Sequence, residues 1–211
     1  DRIFEKRLDR SLMRDVLEGK VFGIGTESFT VGSHEFYLAY AAGHHVGICM
    51  DTGHYHPTEN VADKLSAVVP LIDDVLLHIS RGLRWDSDHV LIQGDDLSAL
   101  MQEMKRGGFF HQVGMGLDYF DASINRVAAW VIGLRAAGKA MLTALLEPSA
   151  LLEQAEADGD FTARLALTEE FKNLPANAVW EYLCLQEGVP VGTDWLTVLR
   201  RYEQDVQSKR R

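Results

Sequence analysis

The sequence is short of positive charge: 21 lysines and arginines stand against 31 aspartates and glutamates, a net charge of −10. A nucleic-acid backbone calls for the opposite balance, so no nucleic-acid partner is expected. Cysteine is nearly absent. The two present, Cys49 and Cys184, fall in apolar segments and read as buried free thiols of a reducing, cytoplasmic compartment, not as a disulfide framework. No uninterrupted apolar run approaches the roughly 18 residues of a membrane helix, so no membrane partner is expected. The opening DRIFEKRLDR is too charged for a signal peptide. The first residue is Asp1, not methionine, which suggests a start inside a longer polypeptide. No internal repeat or low-complexity tract is visible.

What is present is ordinary globular material, 46% apolar and 25% charged over 211 residues. That is enough for one substantial core and an appendage. Phe4, Leu8, Leu12 and Val16 recur every four residues, which predicts a partly helical lead-in over 1–19 closed by Gly19. Val21 to Thr26 reads as a first strand ended by Glu27. Ser33 is placed to cap a helix to about Ala42. Val46 to Met50 reads as a buried strand ended by Asp51, with His54 and His56 in the loop beyond. Pro57 and Thr58 open the next helix, with Val61, Leu65, Val68 and Val69 on one face.

Val75 to Ile79 is the third strand and carries His78 near its end. The loop RGLRWDSDH follows with Asp86 and Asp88, and then a helix over about Asp95 to Arg106 with Leu97, Leu100, Met101 and Met104 inward. Val113 to Leu117 is the fourth strand, ended by Asp118, and Ser123 is placed to cap a long helix to about Leu146. Strands alternating with helices imply a parallel sheet with right-handed crossovers. Glycines within the strands suit a tight barrel interior or close backbone approach. After Pro148 no strand pattern recurs, and helices are expected over about 149–157, 161–173, 176–187 and 194–207. The expected division is therefore 1–148 for the βα units and 149–211 for a helical extension.

Glu27, Asp51, His78 and Asp118 each fall at the end of one of the four successive strands. In a parallel sheet those ends share one rim, where such folds keep their chemistry. Three carboxylates and an imidazole crowded there would repel unless a cation favoured the ionised acids. His54, Asp86 and Asp88 form a second set just above. The Asp-x-Asp spacing lets both side chains face one side of an extended segment. Carboxylate and imidazole donors without thiolate suit Mn²⁺, Mg²⁺ or Co²⁺ over structural Zn²⁺. A single acid at a strand end more often caps a turn, and a lone histidine more often hydrogen-bonds in the core; recurrence on four strands is what favours ions. His34, His44, His45 and His111 read as such ordinary histidines. His56 and His89 are alternatives between that role and a supporting donor, and Trp85 either walls a sugar pocket or anchors its loop.

GIGTES around Glu27, VGSHEFY from Val31, MDTGHYHPTE from Met50, LLHISRGLRWDSDHV from Leu76 and GLDYFDASINRVAAWVIG from Gly116 closely resemble bacterial L-rhamnose isomerase. The likeness continues into the tail at DFTARLAL and AVWEYLC. It implies an α/β fold of the (β/α)₈ TIM-barrel type, of which this chain would be the C-terminal half-barrel of four parallel βα units plus a C-terminal α-helical extension. It also implies a homotetramer, or pairing with an N-terminal half-barrel, since a full barrel takes eight strands and about 250 residues.

The implied reaction interconverts the sugars L-rhamnose and L-rhamnulose with two divalent ions, typically Mn²⁺. By similarity one ion falls to Glu27, Asp51, His78 and Asp118, and the other to His54, Asp86 and Asp88. Hydrogen would pass between C1 and C2 as a hydride while the cations polarise O1 and O2. Asp118 or a metal-bound hydroxide would move the hydroxyl proton, with Glu27 as a further catalytic candidate. Competing readings are a sugar epimerase, a metal-dependent phosphodiesterase of the endonuclease IV type, and a non-catalytic half-barrel serving assembly.

Overall fold

The computed structural model describes residues 2–5, 8–20, 32–83 and 88–210. The expected strand Val21 to Thr26 lies outside them. The chain forms two compact units, Asp1–Asp121 and Ala122–Arg211.

The first unit alternates strands and helices: β1 (Val16–Glu18), α1 (His34–His44), β2 (Gly47–Asp51), α2 (Ala62–Val68), β3 (Val75–Ile79), α3 (Asp95–Arg106) and β4 (Val113–Leu117). Among the described residues the strands form one four-stranded sheet in the order β1-β2-β3-β4. Every neighbouring pair is parallel. Consecutive parallel strands in sequential order, each reached through a helix, are half of a (β/α)₈ barrel. β2 is buried along its whole length, as its apolar run requires of a strand covered on both faces. Gly47 is needed there, because a Cβ at that position would stand 2.7 Å from the Asp74 carbonyl oxygen. α3 buries Leu97, Leu100, Met101 and Met104, the spacing of one helix face.

The lead-in differs from the helix read in the sequence. Residues 2–5 make one 3₁₀ turn, and the chain has become strand by Val16. Asp9 Oδ1 accepts the Ser11 amide at 2.9 Å, a local turn bond that competes with helix. Leu8 and Leu12 are exposed, so the four-residue period was never a packed face. Arg10 and Arg14 instead bind Asp74, and the Asp15 carbonyl accepts the Gly47 amide at 3.0 Å. These contacts draw residues 10–15 alongside the start of the sheet. α2 also starts later than the Pro57-Thr58 reading. Residues 57–61 turn first, and Asn60 Oδ1 accepts the Ala62 amide at 2.9 Å.

The second unit is helical: α4 (Arg126–Leu145), α5 (Ser149–Ala157), α6 (Phe161–Phe171), α7 (Ala176–Gln186) and α8 (Trp195–Asp205). The long helix is capped by Asn125, not by Ser123. Asn125 Oδ1 accepts from the Val127 and Ala128 amides while its Nδ2 donates to Glu203 and Gln207 at 2.7 Å each, tying the start of α4 to the end of the chain. α4 has the length and apolar composition of a bilayer-crossing helix. Arg135 and Lys139 interrupt it, however, and bind the Pro190 and Gly192 carbonyls and the Asn177 side chain, as in a helix packed within protein.

Candidate metal centre

Side chains two apart on a strand face the same way, so Cys49 and Asp51 share one face of β2. Their register partners are Glu18 on β1 and His78 on β3. Three neighbouring strands thus aim an acid, an acid and an imidazole at one place. His78 Nδ1 lies 3.0 Å from Glu18 Oε1, 3.3 Å from Asp118 Oδ2 and 3.6 Å from Asp51 Oδ2. Asp118 arrives one residue past β4, where its amide donates to the Ile79 carbonyl at 3.3 Å.

Asp51 is the buried member, 2% exposed. Its Oδ1 accepts the Gly53 amide at 2.7 Å, but Oδ2 is buried with no hydrogen-bond partner among the described residues. An orphaned carboxylate oxygen is costly unless something positive meets it.

A second group adjoins the first. His54 Nδ1 faces the Gly19 carbonyl at 3.3 Å. Nε2 then points toward Asp88 Oδ2, 3.7 Å away. A carbonyl that holds one ring nitrogen and so orients the other is the usual support of a histidine ligand. Asp88 Oδ1 accepts the Ser80 hydroxyl at 3.0 Å. Asp86, Trp85 and Glu27 lie outside the described residues.

The electrostatics are those of crowded carboxylates and an imidazole. Burial drives the Asp51 carboxyl well above the usual range, with nearby His54 opposing. The neighbouring Asp88 carboxylate raises His54, and His54 in turn holds Asp88 low. Burial, then the Glu18 and Asp51 carboxylates, push the Cys49 thiol up. Without an ion, protons supply the compensating charge; a divalent cation would reverse the Asp51 and His54 shifts. Among the described residues, three sets of ligand atoms lie within 4.8 Å of one another: Asp51, His78 and Asp118; Glu18, Asp51 and His54; Glu18, Cys49 and His78. Their oxygen and nitrogen donors fit one or two divalent cations.

Sequence reasoning missed Glu18. It placed the first rim acid at Glu27, after an expected strand over 21–26, whereas the described strand is Val16–Glu18 and its terminal acid is Glu18. The available signal was an apolar pair, Val16 and Leu17, closed by an acid and followed by Gly19, but the helix-like spacing upstream hid it. Of the supporting histidines, His56 Nδ1 bonds the Thr58 hydroxyl at 2.7 Å, and His89 exchanges backbone hydrogen bonds with Arg81.

The L-rhamnose isomerase (RhaA) family model matches residues 1–210. The chain belongs to the L-rhamnose isomerase family. Across 210 residues and its whole length it is 53% identical to the L-rhamnose isomerase of Rhodopirellula baltica, covering 49% of that protein. To those of Klebsiella pneumoniae and Escherichia coli O81 it is 52% and 51% identical, each covered to 50%. The chain therefore spans about half the length of the curated relatives it matches.

In this family member a cavity of about 200 Å³ opens beside the centre, lined by Thr52, Tyr55, His56, Asn60, Ser80 and Arg81 among others. Among the described residues, none of the candidate ligands lines it.

Proposed function

We propose that this chain carries the metal-binding half of an aldose–ketose isomerase that interconverts L-rhamnose and L-rhamnulose. The observation that carries the reading is the convergence of Glu18, Asp51 and Asp118 on His78, with one buried Asp51 oxygen unpartnered. Family membership supplies the reaction. Glu18, Asp51, His78 and Asp118 would hold one ion, with Glu18 in the place expected of Glu27. His54 and Asp88 would hold the second, joined by Asp86 as the spacing suggests. Mn²⁺ is the proposed ion, and Co²⁺ or Mg²⁺ suits the same donors.

Converting the aldose to the ketose moves the C2 hydrogen to C1 as a hydride and the O2 proton to O1. Bound cations would polarise those two oxygens as Lewis acids and so favour the charge they gain. The residues do the rest. Asp118 is the most open of the four, with its side chain 60% exposed; it is placed to accept the O2 proton and return it at O1. Asp51 and His78 stay fixed by the strand ladder and do not exchange protons with sugar. His54 and Asp88 orient the substrate's oxygens from the second site.

The sugar pocket needs the remaining strands of the barrel, supplied by the same polypeptide or by a partner, and a homotetramer is the proposed assembly. Buried free thiols at Cys49 and Cys184 fit the reducing cytoplasm. The test is ketose formation from L-rhamnose with Mn²⁺. The complete protein should turn over and the 211-residue chain alone should be a poor catalyst. Activity of the complete protein that survives exhaustive chelation would defeat the proposal.

A further inference from the structure

We propose that Ser80 is a positioning residue for the second ion, its hydroxyl turning Asp88 so that only Oδ2 is offered to the cation. The inference rests on reading Asp88 and His54 as ligands. Ser80 is 5% exposed and its Oγ donates to Asp88 Oδ1 at 3.0 Å. That occupies one carboxylate oxygen and leaves Oδ2, the one 3.7 Å from His54 Nε2. A carboxylate held this way gives one oxygen to an ion, with its rotamer set in advance.

Ser80 can do this because its own backbone is clamped. Its amide donates to Thr52 Oγ1 at 2.8 Å and its carbonyl accepts the Thr52 hydroxyl at 2.9 Å. The Thr52 amide donates to the His78 carbonyl at 2.9 Å. The ladder between β2 and β3 thus runs past both strands through a side chain. It carries the geometry of Asp51 and His78, at the first site, to Ser80 and Asp88 at the second. Asp88 is held from its other side too. The Phe120 amide donates to its carbonyl at 3.1 Å, and the Arg81–His89 backbone pair closes the loop beside it. With the main chain fixed, the Ser80 hydroxyl is what selects the carboxylate's orientation.

The test is a Mn²⁺ titration of the metal-stripped complete protein, with free Mn²⁺ followed by electron paramagnetic resonance. Ser80→Ala should raise the second dissociation constant about 10- to 100-fold, the usual cost of losing a partner behind a ligand, and leave the first unchanged. Ser80→Thr, which keeps the hydroxyl, should recover most of the loss. Thr52→Val, which removes the clamp at nearly constant shape, should weaken the second ion alone and by less. An unchanged second constant in Ser80→Ala, or equal weakening of both ions, would overturn the proposal. Asp88→Ala separates the underlying reading: if it still binds both ions as the unmodified protein does, Asp88 is no ligand and that reading falls first.

Discussion

Glu18 and His78 are 60 residues apart in sequence, yet Glu18 Oε1 lies 3.0 Å from His78 Nδ1. A strand lies between theirs, so the approach depends on the register that sets Glu18 beside Cys49 and Asp51 beside His78. Their side chains are 36% and 27% exposed, which leaves water to screen them and makes the pair a poor stability anchor. Both atoms are ligand donors aimed at the same space, and that is the relationship a cation would use.

Replacing Glu18 should therefore empty the first site. Glu18→Gln keeps the shape and removes the charge. It is expected to weaken the first ion by more than about 100-fold, beyond what losing a partner behind a ligand costs. Metal content after dialysis reads this out. Glu27→Gln, measured beside it, should retain both ions.

His54→Ala should weaken the second ion more than the first, because His54 faces Asp88 through Nε2 and only borders Glu18, 3.8 Å away. Stepwise Mn²⁺ titration separates the two constants. Equal weakening would mean that one shared site had been mistaken for two.

The metal-free protein should lose stability as pH rises. His54 is raised in the fold by the neighbouring Asp88 carboxylate; its contribution is fully present below about 6.5, its unfolded value, and is lost as pH climbs through about 9. Asp51 is raised by burial to about 8, so the fold binds a proton that the unfolded chain releases near 4, and that advantage too is lost on the way up. Denaturant midpoints of the stripped protein should fall from pH 5 to pH 9. Added Mn²⁺ should stabilise more as pH rises, since its ligands must shed those protons.

Asn125→Ala should cost about 1–2 kcal/mol, the range for losing a helix cap. Here it also leaves Glu203 and Gln207 without the Nδ2 donor. Chemical denaturation measures the loss, and metal content should not change.

Much of this architecture was legible in the sequence. Val75–Ile79, Asp95–Arg106 and Val113–Leu117 have the boundaries read from pattern, because each is long enough for its period to show and is closed by a turn or glycine. β1 was not legible. Three residues carry no period, and Phe4, Leu8, Leu12 and Val16 imitate a helix face that no packing supports. The same weakness hid Glu18 as a rim acid, while Glu27 lies outside the described residues. Asp51, His54, His78, Asp88 and Asp118 lie near one another because the ends of parallel strands share a rim. Ser80 gave no signal at all: its part comes from a tertiary bond to Asp88 and a clamp by Thr52, and neither follows from spacing.

The most direct measurement is an anomalous diffraction map of the complete protein crystallised with Mn²⁺. One peak should lie about 2.0–2.2 Å from oxygens of Glu18, Asp51 and Asp118 and from His78 Nδ1. A map with no peak there, or with the ion held by other residues, would contradict the account.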